Sequence, residues 1–274
     1  MRNASNETAD DILRAIGHGD PPEDLYGIEG SRLYDKITAA DLSELPEILG
    51  AARKTTGPIL ELAAGSGRIT RALLALGRPL TAVDSSPEML QMLRERAATR
   101  SFNPQGVAVD VIEADMSRLH VHDEFGCIVL GASSVTLLSH EQRRELFRRV
   151  RDRLSPDGRF VLTVLDAEQS GQQPHDQGGT KAGYSVLDCN SILFTIERRD
   201  PGNGTRHVTM IKVDFDEGRT YRSSAYASEI AYVRNEVIEA ELNAEGLHVR
   251  ERRAVRIPSL VRSLNGVEMW VCGT

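Results

Sequence analysis

The chain has 274 residues, of which 40% are hydrophobic and 27% charged, and a formal net charge of −7. Such a profile belongs to a globular protein, and its acidic balance argues against a broad phosphate-binding surface, so nucleic acid is not expected as a partner. No run approaches the roughly 20 apolar residues of a membrane span, and the polar, acidic start does not read as a signal sequence; a cytoplasmic protein with no membrane partner is expected.

In chain order, residues 1–30 are polar and rich in Gly, Pro and acids, and read as a loose N-terminal arm. Residues 31–274 read as one domain. Asp41–Lys54 carries apolar residues at helical spacing. From Pro58 to Asp166, apolar runs (PILELA, LTAVD, VDVIEAD, GCIVLGA, RFVLTVLD) alternate with helical stretches. That alternation predicts an α/β fold whose parallel sheet is covered on both faces. Within it, Glu141–Leu154 is dense in arginine, yet Leu146, Phe147, Val150 and Leu154 share one helical stripe, which places the arginines on the solvent side.

Beyond Asp166 the texture changes. Ala167–Gly183 is a long polar loop. Ser191–Phe215 reads as two alternating strands joined by Pro201-Gly202-Asn203-Gly204, and Arg219–Ala227 as a third. Ser228–Leu247 predicts a helix, with Ser228 as N-cap and Gly246 as stop. Two last strands fall near Val249–Ile257 and Val267–Cys272. The simplest account is one α/β domain with an antiparallel insertion, residues 167–227, after its fifth strand. The cysteines, Cys127, Cys189 and Cys272, lack CxxC spacing; Cys127 and Cys272 sit in apolar runs as small core residues.

Gly65-Ser66-Gly67 opens a helix directly after a buried strand. Glycines there let the backbone turn sharply and let a ligand lie against the main chain. Asp84 closes the next strand, where a carboxylate accepts both hydroxyls of a ribose. An adenosine-type cofactor at the carboxyl ends of the strands follows. A dinucleotide fits less well, because Thr70 stands where a third glycine is wanted. Glu61, just before the turn, suits instead a cofactor with an amino-acid tail, whose α-amino group or bound water it can accept from.

These residues resemble the class I S-adenosylmethionine (SAM)-dependent methyltransferases. LELAAGSG is similar to their first motif, AVDSSPEML to the second and EADM (Glu113–Met116) to the third. GCIVLGASSVTLL and RVRDRLSPDGRFVLTV fall on the fourth and fifth strands. The resemblance covers residues 30–166 and the final strands. It implies a Rossmann-like, doubly wound seven-stranded sheet carrying the antiparallel insertion, with SAM as cofactor and S-adenosylhomocysteine as product. Carried onto this chain, it implies that the backbone at Ala63 and Gly65, with Glu61 behind, holds the methionine moiety. Asp84 takes the ribose, Ser85 and Met89 line the adenine side, Asp115 accepts from the adenine amino group, and Met116 packs beside the ring. Gly131 and Ala132 pass the methionine end, Arg68 faces either its carboxylate or solvent, and Tyr34, in RLYDKIT, comes near the donor methyl.

The fourth strand ends LGASS, without the acid or Asn-Pro-Pro-Tyr of members that act on nucleic-acid bases or glutamine. His140 and His175 are the candidate general bases beside Tyr34, and each has a structural reading too. His175 with Asp176 or His207 lacks diagnostic metal spacing, so no metal is expected. The insertion reads as a substrate cover, with Tyr184, Phe194, Met210 and Tyr226 as candidate contacts or packing core. The overall pattern is similar to bacterial natural-product methyltransferases. It implies a small-molecule or peptide-derived amine as acceptor, and the family allows a homodimer. O- or C-methylation of a small acid or phenol, and a SAM-binding regulatory protein without transfer, are the alternatives.

Overall fold

The computed structural model describes residues 7–119, 121–165, 179–216, 220–255 and 266–274. In chain order the elements are α1 (Glu7–Ala15), β1 (Glu23–Asp24), α2 (Ile28–Thr38), α3 (Leu45–Ala52), β2 (Ile59–Leu62), α4 (Arg68–Leu74), β3 (Leu80–Asp84), α5 (Pro87–Ala97), β4 (Val109–Glu113) and β5 (Phe125–Leu130). They continue as α6 (His140–Arg153), β6 (Leu154–Leu165), β7 (Gly179–Asp188), β8 (Ser191–Asp200), β9 (Thr205–Phe215), β10 (Tyr221–Ala231), α7 (Asn235–Ala244), β11 (His248–Ala254) and β12 (Val267–Gly273). The chain divides into two compact units, 1–37 with 175–232 and 38–174 with 233–274.

The larger unit is built on a seven-stranded sheet in the order β11-β12-β6-β5-β2-β3-β4. Strands β4, β3, β2, β5 and β6 run parallel, and β12 and β11 are antiparallel. Every residue of β2 and β5 is buried, because helices cover both faces of a doubly wound sheet. One core cluster joins Leu60, Ile128, Phe160 and Trp270 to Phe147 of α6 and Leu242 of α7; the other joins Ile59, Val129 and Val161 to Ile48 of α3, Leu73 of α4 and Leu93 of α5. Each such side chain contributes about 1.5–3 kcal/mol on burial. Local signals agree with this packing: Ser86 caps α5 ahead of Pro87, and Ser139 and Gln142 form a reciprocal capping box on α6. The cores of β2 and β5 also bury Cys127, and β12 buries Cys272; burial pushes the two thiols up to about 11 and about 12.

The smaller unit is a five-stranded sheet in the order β1-β10-β9-β8-β7, antiparallel except for the short β1. Side chains alternate across a strand, so neighbours in sequence face opposite sides. Ile196, Ile211, Val213 and Ala225 pack with Ala9 and Leu13 of α1, whereas Leu193, Met210 and Tyr226 pack with Leu25 and with Leu33 of α2. One helix therefore covers each face.

Four expectations need correction. Residues 7–15 of the expected loose arm form α1, because Ala9, Ile12, Leu13 and Ile16 recur at helical spacing and have an apolar sheet face to cover. The polar segment 167–183 ends in the start of β7, paired with β8 from Gly179↔Arg199 onward. Ser228 does not cap a helix: it pairs with Val208, the ladder runs to Ala231, and α7 starts after Arg234. Arg143 of α6 is buried rather than on the solvent side, and Glu241 of α7 is its partner. The turn at 201–204, closed by Asp200↔Thr205, is as expected, and so is the stop at Gly246, whose φ is +81°. Among the described residues no helix is long and apolar enough to cross a membrane.

Candidate functional site

Strand order reverses at β2, which lies between β3 and β5, and parallel sheets offer their ligand crevice at the carboxyl ends around such a point. The backbone there is unusual. Among the described residues, the non-glycine positions with positive φ are Ala63 (53°), Ala132 (54°) and Ser133 (54°), directly after β2 and β5. Left-handed non-glycine residues cost on the order of 1–3 kcal/mol each and persist where their surroundings fix them. Strain is concentrated at the switch point.

The turn after β2 is held by the acid at the end of β3. Asp84 accepts from the Gly65 amide at 2.8 Å and from the Ser86 amide at 2.9 Å. Burial pushes its carboxyl up, and those amides draw it back down. A carboxylate has about four acceptor sites, and the Ser85 amide draws on this one as well, so Asp84 keeps an acceptor site for a further donor. Gly65 itself has φ +55°, and the nearest protein atom to a Cβ placed there is Met89 Sδ, 3.9 Å away. Open space above a left-handed glycine is a cradle that a side chain would fill.

Glu61 lies behind this turn. Its Oε2 accepts from Thr70 Oγ1 at 2.6 Å, while Oε1 is buried with no hydrogen-bond partner among the described residues. Desolvation pushes this carboxyl up to about 8, against the opposing pull of Thr70 and Arg68. The third glycine that a dinucleotide site would want is thus replaced by a hydroxyl committed to Glu61. An orphaned acidic oxygen beside a glycine cradle fits a cofactor with an ammonium-bearing tail.

The other predicted residues take the following places. Asp115 caps the 3₁₀ turn Met116–Arg118 through the Ser117 amide and hydroxyl, and Met116 packs against the core cluster of β2 and β5. Ser85 is exposed at the end of β3, and Met89 is buried in the first turn of α5. Gly131 and Ala132 follow β5, and the Ala132 amide donates to Glu44 at 2.9 Å. Arg68 pairs with Glu44 and donates to the Asp41 carbonyl at 2.9 Å, with its side chain 15% exposed rather than turned to solvent. Glu44 had no signal in the sequence beyond an acid ahead of a helix.

The candidate bases His140 and Tyr34 belong to different units. His140 Nδ1 meets Glu241 Oε1 at 2.6 Å, and Glu241 also takes Arg143 through two bonds of 2.7 Å, tying α6 to α7. Tyr34 belongs to the smaller unit, edge-on to Tyr26 with ring centroids 5.6 Å apart. His175 lies outside the described residues. The four insertion residues divide between two faces: Tyr184 pairs with Phe194, ring centroids 6.5 Å apart, whereas Met210 and Tyr226 are buried on the α2 side.

Known proteins resemble this chain in both sequence and fold. Residues 59–158 match the family described as methyltransferase domain. A curated relative, the mitochondrial ubiquinone biosynthesis O-methyltransferase of Schizosaccharomyces pombe, is 26% identical over 141 residues, 50% of this chain. The chain spans about half of that relative's length, 48%. Among solved structures, the CcbJ methyltransferase of Streptomyces caelestis has a TM-score of 0.73 at 24% identity, over 92% of this chain and 98% of that one. The glycopeptide N-methyltransferase MtfA, complexed with SAM, gives 0.61 at 20% identity over 97% of both chains. The sugar N-methyltransferase KedS8 of Streptoalloteichus gives 0.65 at 16% identity, over 92% and 94%. Residues 59–158 thus match a methyltransferase domain within a chain that has the fold of the class I SAM-dependent methyltransferases.

Proposed function

We propose that this protein transfers the methyl group of SAM to the nitrogen of a small-molecule or peptide-derived amine, in bacterial specialised metabolism. The carrying observation is the breadth of the likeness to MtfA, 97% of both chains, which takes in the antiparallel unit as well as the methyltransferase domain. The likeness to the O-methyltransferase relative extends over half the chain.

Bound SAM supplies a methyl carbon on a positively charged sulfur, so the protein's part is chiefly alignment and exclusion of water. In this reading Asp84 faces the ribose hydroxyls with the acceptor capacity left after Gly65, Ser86 and Ser85, and Asp115 and Met116 receive the adenine. The 63–67 turn and Glu61 receive the methionine end. A neutral amine brings its own lone pair and sheds its proton to water after transfer, so it requires no strong base. His140 gives its Nδ1 to Glu241, and this reading asks nothing of its other ring nitrogen.

The test is incubation with SAM and a panel of amines, phenols and small acids, followed by mass spectrometry. The expected result is a 14-dalton gain on an amine, with a rate that rises with pH as the free base forms. Gain on a phenol or acid alone would replace nitrogen by oxygen or carbon. Binding of SAM without consumption across the panel would make the protein a sensor.

A further inference from the structure

Glu44 lies outside the segment that matches the methyltransferase-domain family, 59–158. It occupies the N-cap position of α3, yet its side chain makes no capping bond to that helix. Instead the carboxylate, 6% exposed, turns to the carboxyl ends of β5 and β6. Oε1 accepts from Arg68 Nη2; Oε2 accepts from the Ala132 amide and from Thr163 Oγ1, both at 2.9 Å. The Thr163 hydroxyl in turn accepts from the Ser133 amide at 3.0 Å. Both amides of the left-handed pair Ala132-Ser133 therefore lead, one directly and one by a hydroxyl relay, to a single carboxylate. The chain passes so close that a Cβ on Gly131 would lie 3.5 Å from each Glu44 oxygen and 2.1 Å from Ile69 Cδ1.

Two consecutive non-glycine residues in this conformation do not hold it unaided. We propose that Glu44 is the positioning residue of the cofactor site: it fixes the backbone after β5 in the shape that receives the methionine end of SAM. The inference rests on the SAM reading given above. Its chemistry is specific to a carboxylate, since Arg68, Ala132 and Thr163 each present a donor. A glutamine at 44 must aim its NH₂ group at one of them, whichever way the amide is turned.

The experiment compares wild type with Glu44→Gln by calorimetric titration of S-adenosylhomocysteine and by hydrogen exchange. We expect a rise in Kd of about tenfold or more, with fast exchange at Ala132 and Ser133 and unchanged protection in β2 and β3. Wild-type affinity in the variant would overturn the proposal. So would loss of affinity with the loop amides still protected, which makes Glu44 a direct ligand, or uniform acceleration across the sheet, which makes it a general stabiliser. If Glu44→Gln does not fold, Thr163→Val keeps the ion pair and removes only the relay. It should speed exchange at Ser133 and weaken binding a few-fold, and no change in either sinks the idea. Failure of the wild type to bind S-adenosylhomocysteine would instead refute the cofactor reading, independently of Glu44.

Discussion

Arg143 and Glu241, in the mostly parallel unit, are each 5% exposed and joined by two parallel bonds, whereas Lys36 and Asp188, in the antiparallel unit, meet with 53% and 42% of their side chains in water. Even the more sheltered ion pairs of the antiparallel unit, Glu197 with Arg199 and Arg206, keep 12–16% exposure. The parallel unit places desolvated charge at its functional edge and between its helices, where a charge has one tolerable arrangement. The antiparallel unit is held by long ladders and two apolar layers, which tolerate side-chain exchange on their exposed positions. One region specifies geometry; the other carries a surface.

The largest effect that would sharpen this contrast is Asp84→Ala. It removes the acceptor proposed for the ribose and also the anchor of Gly65 and Ser86. With hydrogen bonds to a charged group at about 1.5–3 kcal/mol each, a loss of about 3–4 kcal/mol is expected, on the order of a few-hundred-fold in Kd. Calorimetry with S-adenosylhomocysteine checks it, and an unaltered Kd would remove Asp84 from the site.

Next comes Arg143→Met, which strands the Glu241 carboxylate between α6 and α7. Breaking a buried pair from one side costs about 3–5 kcal/mol, though exposed His140 remains as a partial partner, so about 3 kcal/mol is expected in urea unfolding. A cost below 1 kcal/mol would mean the tie is dispensable.

Glu61→Gln should act through pH. The folded-state carboxyl titrates near 8 and the unfolded one near 4.5, so between these values the folded protein holds a proton that the unfolded chain releases. Stability of the unliganded protein therefore falls as pH rises from 4.5 to 8, and below 4.5 the difference vanishes. The glutamine variant should lack this slope. Parallel stability profiles for variant and wild type would show that Glu61 does not titrate in that window. The smallest expected effect is Lys36→Met, about 0.5 kcal/mol or less, because exposed pairs are screened by water. A loss above 1 kcal/mol there would break the comparison from the other side.

The sequence made the parallel unit legible where function and fold share residues. The buried runs of β2, β3 and β5, the glycine turn and Asp84 are each fixed by a short-range pattern. Legibility ended where a partner is distant in the chain. Glu44 reads as a helix-start acid, and its donors Arg68, Ala132 and Thr163 come together only when β2, β5 and β6 align. Arg143 has the spacing of a solvent-facing arginine, and its burial depends on Glu241, 98 positions later. In the antiparallel unit the misreadings have another cause. Residues 228–231 carry no strong preference of their own, and the β9 ladder decides for them. Helix α1 was hidden by acidic composition, although the Ala9, Leu13 and Ile16 spacing is visible once the sheet face it covers is known.

The tie between α6 and α7 has a consequence for how this fold diversifies. Together with the β6–β12 pairing, which joins Leu165 to Val267, it links segments on either side of the insertion within the parallel unit. The chain departs after β6 and returns before α7, and the seven-stranded sheet closes without borrowing a strand from the excursion. Changes of length or side chain within residues 175–232 therefore leave every strand of the seven-stranded sheet with its partners, so this fold can vary there without re-pairing that sheet.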